Sequence, residues 1–261
     1  MPIKAVVTGA SRGIGLAAAR HLSDLGYEVT GTCRLPDKLE QEHPGIRWLA
    51  LDLSRSDSIE LFLQQVGRVD VLINNAGISR IAPLEVDQAE AVQEIFEVNL
   101  FGPLRLTSSL IPAMRQRAQG WIINIGSLAA LFPVPFQSAY SASKAALAVY
   151  TQVLRHEVRR LGVRVVLLSP NDIRTTIKPG LEEGSAVEYH AGLAAMRRVR
   201  EQRMARAAEP EIVARKIAAI LKKKNPAPAY AVGGGAPLLV FARRFLPDRL
   251  VERVVRSTYG L

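Results

Sequence analysis

The sequence predicts a single α/β domain with a doubly wound parallel sheet and helices on both faces. Three observations carry that prediction. The chain has 261 residues, 48% hydrophobic and 22% charged, the size and composition of one globular domain with a large core. Short apolar runs alternate with longer helical patterns over the first two thirds of the chain. Those runs carry Val, Ile and Leu at both parities, as strands covered on both faces require.

In chain order, residues 3–8 read as the first strand and end in a glycine-rich turn. A helix over 13–25 follows, then a strand over 28–33 and another over 47–51. Residues 56–66 are helical and 71–74 are a strand. The helical stretch 88–118 contains Pro103 and Pro112, so it is expected to kink or split. A strand over 121–126, a long helix over 138–161 and a strand over 163–169 complete the regular rhythm. Beyond it, 176–208 reads as a substrate lid, with a basic helix from 185. Residues 209–224 form a further helix, and 225–261 read as a C-terminal extension. A last strand is expected at 229–232. Residues 246–256 put Leu250, Val251, Val254 and Val255 on one helical face.

Composition excludes several classes. Cys33 is the one cysteine, so neither an intrachain disulfide nor a cysteine-held zinc is expected, which suits a reducing, cytoplasmic setting. The N-terminal residues lack a signal-peptide layout, and the long uncharged stretch before Lys144 is broken by Pro133 and Pro135, which argues against a membrane span. His21, His43, His156 and His190 have no metal-ligand spacing, so no metal site is expected. The net charge is +10, yet residues 1–196 are neutral, with 19 basic and 19 acidic side chains. Residues 197–261 hold 15 basic and 5 acidic ones. A uniformly basic nucleic-acid binder would not concentrate its charge this way.

The turn Thr8-Gly9-Ala10-Ser11-Arg12-Gly13-Ile14-Gly15 lies between the first strand and the first helix. Glycines let the backbone turn tightly and approach a phosphate, and the helix N-terminus supplies free N–H groups and a positive dipole end. In a βαβ unit this is a Rossmann-type dinucleotide site. The second strand ends in Gly31-Thr32-Cys33-Arg34, with no carboxylate for the adenosine ribose hydroxyls. Arg34, with Arg12 in the turn, suits the extra 2′-phosphate of NADP(H), which is therefore preferred over NAD(H). Asp52 could accept from an adenine amino group or simply cap a turn.

Tyr140 and Lys144 open the long helix four residues apart and so share a face. A nearby ammonium favours phenolate and lowers the tyrosine pKa, so that the phenol can exchange a proton with a carbonyl oxygen. Ser127 follows the strand 121–126, at the sheet edge where α/β folds place ligands, and could hold that oxygen.

These motifs together resemble the classical short-chain dehydrogenase/reductase family over about residues 3–176. Thr8–Gly15 resembles its TGxxxGxG turn, Asn74-Asn75-Ala76-Gly77 its NNAG, and Tyr140 with Lys144 its YxxxK, with Asn99 and Ser127 in the family's order and spacing. The hydroxysteroid and retinol dehydrogenase branch is most similar. The resemblance implies that Tyr140 is the general acid in reduction and the base in oxidation. Ser127 would orient the substrate oxygen. Lys144 would bind the nicotinamide ribose and tune Tyr140, and Asn99 would hold a water in a proton relay. Gly9, Ser11, Arg12, Gly13, Ile14, Gly15, Arg34, Asp52, Leu53, Asn74, Asn75, Ala76 and Gly77 would bind the cofactor, together with Tyr140, Lys144, Pro170, Ile173 and Thr175. Asn171 stands where the family has glycine. Asparagine tolerates a left-handed backbone, so the turn is expected to survive.

The apolar segment after Ser127 fits either a bulky hydrophobic ketone or packing against the helices. The expected activity is hydride transfer between NADP(H) and a carbonyl or secondary alcohol of a hydrophobic small molecule, in the direction of ketone reduction. A steroid- or retinoid-like alcohol dehydrogenase, a 3-oxoacyl reductase and a cofactor-binding redox sensor are the alternatives. A sensor would tolerate a broken set, whereas Asn99, Ser127, Tyr140 and Lys144 are all present. The family resemblance also implies a homodimer or homotetramer, formed through the two long helical stretches 88–118 and 138–161. The basic residues 197–224 and the amphipathic 246–256 either touch an anionic membrane surface peripherally or cover core.

Overall fold

The computed structural model describes residues 1–39, 43–174, 180–181 (backbone only) and 187–261. Strands β1 (Lys4–Val7), β2 (Glu28–Cys33), β3 (Ile46–Ala50) and β4 (Val71–Asn74) are joined by α1 (Gly13–Asp24) after β1 and α2 (Ser56–Val66) after β3. A two-residue strand β5 (Arg80–Ile81) leads to α3 (Ala89–Phe96), a π-helical turn over Glu97–Phe101, and α4 (Gly102–Gln116). Then come β6 (Gly120–Ile125), α5 (Ser138–Val158), β7 (Val163–Pro170) and β8 (Gly180–Leu181). The chain continues through α6 (Val187–Ala205), α7 (Glu211–Leu221), β9 (Ala229–Val232), α8 (Ala236–Arg243) and α9 (Asp248–Tyr259).

Seven strands form one parallel sheet in the order β3-β2-β1-β4-β6-β7-β9, and β5 pairs with β8 apart from it. The order reverses between β1 and β4, which opens a crevice at their C-terminal ends. The central strands explain the doubled apolar pattern. Val7, Ile73, Ile123 and Val166 face α1 and α7, packing on Ala18, Leu22, Val213 and Ile217. Their neighbours Val6, Leu72, Ile122 and Val165 face the other way, onto Phe62 of α2, Leu106 of α4 and Leu154 of α5. A strand covered on both faces has no polar side to show.

One interrupted helix follows the sequence expectation and one helix departs from it. The stretch 88–118 is interrupted by the π turn over Glu97–Phe101, and Pro103 sits in the first turn of α4 directly after it. Helix α8 lies in a segment whose glycines and prolines read as breakers. Gly235 enters it at φ +68° and Pro237 occupies its first turn, so both start the helix. The expected lid reaches into α6, while residues 176–179 and 182–186 lie outside the described residues.

A third apolar cluster holds α6 and α9 beside the crevice. Leu193 and Met196 of α6 pack with Tyr259 of α9, and Phe136 meets Tyr189 edge-on at 6.3 Å. Among the described residues, no helix is long and apolar enough to cross a membrane.

Candidate active site

A cleft of about 550 Å³ runs along the crevice. One end is built on the turn after β1. Gly9 and Gly13 adopt φ +65° and +54°, a left-handed backbone that glycine takes without strain. A Cβ on Gly9 would stand 2.8 Å from Ala76 Cα, so the turns after β1 and β4 touch backbone to backbone. Thr8 locks them. Its Oγ1 accepts from Asn75 N and Ala76 N, each at 3.0 Å. Asn75 Nδ2 returns the tie by donating to Thr8 O at 2.9 Å and Gly9 O at 3.2 Å. The first turn of α1 carries no acidic residue, so its positive end is uncompensated where it meets the cleft.

Gly9, Ser11, Arg12, Gly13 and Ile14 all line this end, as do Arg34, Asp52, Leu53, Asn75, Ala76 and Gly77. The donor set fits a dinucleotide: a glycine turn at an open helix end, with the guanidinium groups of Arg12 and Arg34 lining the same end. Asp52 makes the expected turn contact and also borders the cleft. It lines the cleft, while its Oδ1 accepts from Ser54 N at 3.0 Å and Ser54 Oγ at 2.6 Å.

Two residues expected at the cofactor lie elsewhere. Asn74 is buried under the sheet on the α4–α5 side. Its Nδ2 donates to Thr107 Oγ1 at 3.0 Å and Asn124 Oδ1 at 2.8 Å, and Asn124 donates on to Thr151. Strand alternation explains this: Asn74 points away from the cleft and Asn75 points to it. Gly15 does not line the cleft. It lies beneath the turn, where a Cβ would be 2.3 Å from Gly9 O.

The other end of the cleft gathers Ser127, Tyr140 and Lys144. Ser127 leaves β6, and its Oγ accepts from Ala129 N at 3.1 Å and hydrogen-bonds Tyr140. Tyr140 and Lys144 lie one turn apart on α5. Lys144 Nζ donates to Ile125 O at 2.9 Å, and burial pushes the ammonium from 10.5 down to about 8. Burial raises the Tyr140 phenol above its ordinary value, while the Ser127 hydrogen bond and the charge of Arg200 pull it down. The expected lowering by Lys144 is thus not the leading influence here: desolvation dominates, and Arg200 supplies the nearby positive charge.

Asn99 lies behind the cleft wall rather than on it. In the π turn its side chain clasps Ile78: Oδ1 accepts from Ile78 N and Nδ2 donates to Ile78 O, both at 2.9 Å, and Nδ2 reaches Ser143 Oγ at 3.1 Å. A Cβ on Gly77 would stand 3.1 Å from Asn99 Oδ1 and 3.5 Å from Lys144 Nζ, so glycine is what lets these groups approach. Beyond β7, Pro170 and Ile173 line the cleft. The left-handed residue of this turn is Asp172, at φ +38°, instead of Asn171. Asn171 N extends the ladder to Val232 O at 2.8 Å, and its side chain donates to Gly234 O at 2.9 Å. Thr175 lies outside the described residues.

Arg200 is the residue that sequence reasoning missed. It lines the cleft and acts on both Tyr140 and Asp172. A signal existed: Leu193, Met196 and Arg200 follow the i, i+3, i+7 spacing of one helical face, which puts an arginine on an apolar stripe. The walls near Tyr140 are otherwise largely apolar, from Phe132, Val134, Met196, Leu239 and Val254.

A profile described as short chain dehydrogenase matches residues 4–186. The chain belongs to the short-chain dehydrogenase family. It is 32% identical to a 3-ketodihydrosphingosine reductase from Bacteroides thetaiotaomicron, over 98% of this chain and 97% of that one. A solved short-chain dehydrogenase from Streptomyces avermitilis superposes with a TM-score of 0.78 at 31% identity, covering 99% of this chain and 98% of the other. A metagenomic short-chain oxidoreductase in complex with NADP gives 0.69 at 34% identity, over 88% and 96%. Family membership makes the chain an oxidoreductase of CH–OH and C=O groups that uses a nicotinamide cofactor.

Proposed function

We propose that this short-chain dehydrogenase is an NADPH-dependent reductase of a ketone carried on a long apolar body. One observation carries the reading: a single cleft joins an arginine-flanked glycine turn to Ser127, Tyr140 and Lys144 between apolar walls. A nicotinamide cofactor held along it supplies the hydride that carbonyl reduction needs. The open end of α1 would take the pyrophosphate, and Arg12 and Arg34 the 2′-phosphate. Asp52 and Leu53 would border the adenine. Lys144 would hold the nicotinamide ribose, with Pro170, Ile173 and Thr175 against the nicotinamide. Ser127 donates a hydrogen bond to the substrate oxygen, and Tyr140 gives it a proton as negative charge develops there. In the oxidative direction Tyr140 takes that proton back. Asn99 acts through Ile78 and Ser143 as a positioning residue. The keto-lipid activity named for the Bacteroides relative supports a carbonyl on a long chain. Exposed Val149 and Val153 on α5 are where a second copy would pack in a homo-oligomer, and the lone Cys33 suits the cytoplasm.

Oxidation of NADPH and of NADH over ketones graded from small to steroid-sized and long-chain tests the reading. Turnover is expected with NADPH on the large apolar ketones. Preference for NADH would overturn the role of the arginines, and turnover restricted to small polar ketones would overturn the substrate class. Arg34→Asp should lower kcat/KM for NADPH by about 10- to 100-fold, the effect of losing a charge-assisted bond and adding repulsion. It should leave NADH little changed; an equal loss with both cofactors would place Arg34 away from the 2′-phosphate.

Arg200 adds a pH prediction. Its charge lowers the Tyr140 phenol, so Arg200→Gln should move the ascending limb of the alcohol-oxidation profile to higher pH. Arg200→Lys should restore the limb toward wild type. Superimposable profiles for all three proteins would show that the charge does not reach the phenol.

A further inference from the structure

Helices α8 and α9 present an apolar face to solvent at the mouth of the cleft. Leu238 and Phe241 of α8 are 71% and 58% exposed and their spacing puts them on one helical face, and Phe245, in the turn that follows, is 72% exposed. The two rings lie 5.2 Å apart. Leu250 and Val254, one turn apart on α9, are exposed as well. Single exposed apolar side chains are ordinary, but two on α8, two on α9 and Phe245 in the turn between them form a patch.

Two further observations say what covers it. The same segment, residues 243–256, carries Arg243, Arg244, Arg249, Arg253 and Arg256 against Asp248 and Glu252, all but Arg243 exposed. Asp248 is taken up by Arg243 at 2.6 Å, so the outward charge of this face is positive. The patch is also continuous with the cleft, because Leu239 of α8 and Val254 of α9 line it together with Tyr140. We infer that α8 and α9 dock the protein on an anionic lipid surface, with the cleft opening toward the acyl chains so that an apolar substrate enters without crossing water. The basic stretch 197–224 does not form this face. Helix α7 buries Val213 and Ile217 against α1, while on α6 Met196 lines the cleft and Leu193 packs with Tyr259. The face centres instead on α8.

Docking is independent of turnover, so it can fail while the reductase reading stands. The test is co-sedimentation of the full chain with phosphatidylcholine vesicles, with and without phosphatidylglycerol, alongside Leu238→Ser/Phe241→Ser/Phe245→Ser. None of these three side chains lines the cleft. The wild type should bind the anionic vesicles, bind neutral ones weakly, and release as salt rises. The triple variant should bind at least about tenfold less, while keeping its melting temperature and its NADPH oxidation on a water-soluble ketone. If the triple variant does not fold, Arg244→Gln/Arg249→Gln/Arg253→Gln/Arg256→Gln should give the same loss through the charge alone. No sedimentation of the wild type, or equal binding by wild type and a folded variant, would overturn the proposal. So would a fall in solution mass in the triple variant, because a second copy would then be what covers this face.

Discussion

Replacing Tyr140 with Phe is expected to lower kcat at least about 1,000-fold, the scale set by losing a positioned general acid together with a hydrogen-bond donor at the reacting oxygen. NADPH affinity should stay within about threefold, because the phosphate-facing end of the cleft is untouched. The substitution removes one oxygen from a buried site, where the hydroxyl pairs with Ser127. Ser127 keeps its bond from Ala129 N, so the local backbone is still held. Single-turnover kinetics with a bulky ketone, paired with calorimetric titration of NADPH, separates the two effects. Turnover near wild type would remove Tyr140 from the chemistry. Loss of NADPH binding would make it a structural residue.

Lys144 gives the other large effect, in activity and in stability together. Burial lowers the ammonium from 10.5 to about 8, which corresponds to about 3 kcal/mol of differential cost between its protonation states. The sign follows from proton counting. Between pH 8 and 10.5 the unfolded chain binds the proton more fully than the folded one, so this group makes stability rise with pH across that window. Below pH 8 both states are protonated and the whole cost is present. Lys144→Met removes that cost and also leaves Ile125 O without its donor, a loss of about 1–3 kcal/mol. At pH 7 the variant should therefore be as stable as wild type or up to about 2 kcal/mol more stable. Its kcat/KM should fall at least about 100-fold. Urea unfolding at pH 7, 8, 9 and 10 checks the argument, since the wild type should gain on the variant as pH rises. Parallel curves would show that Lys144 is not held charged in a dry site.

The site was legible wherever the chemistry is local in the chain. The glycine turn is one continuous segment between a strand and a helix. Tyr140 and Lys144 are one turn apart on one helix, and Ser127 ends a strand that its apolar run defines. Asn74 and Asn75 mark the limit of that reading. They are adjacent and chemically identical, yet the pleat sends one into a buried polar network and the other onto the glycine turn. Asn99 reads as a relay residue by resemblance, and the structure adds that the π turn ties its side chain to Ile78, a contact no local pattern announces.

By itself, then, the sequence determined the parallel α/β fold, the glycine turn, the arginine that faces the cofactor end and the Ser-Tyr-Lys set. These follow from periodicity, backbone freedom and spacing, which act over a few residues. The tertiary structure alone decided three further things. Arg200 comes within electrostatic reach of Tyr140 although sixty residues separate them. The phenol's pKa is set more by burial than by Lys144. The apolar face of α8 stands exposed beside the mouth of the cleft. Each depends on where distant helices pack and on how much water they exclude, and neither is encoded in the spacing of neighbouring side chains.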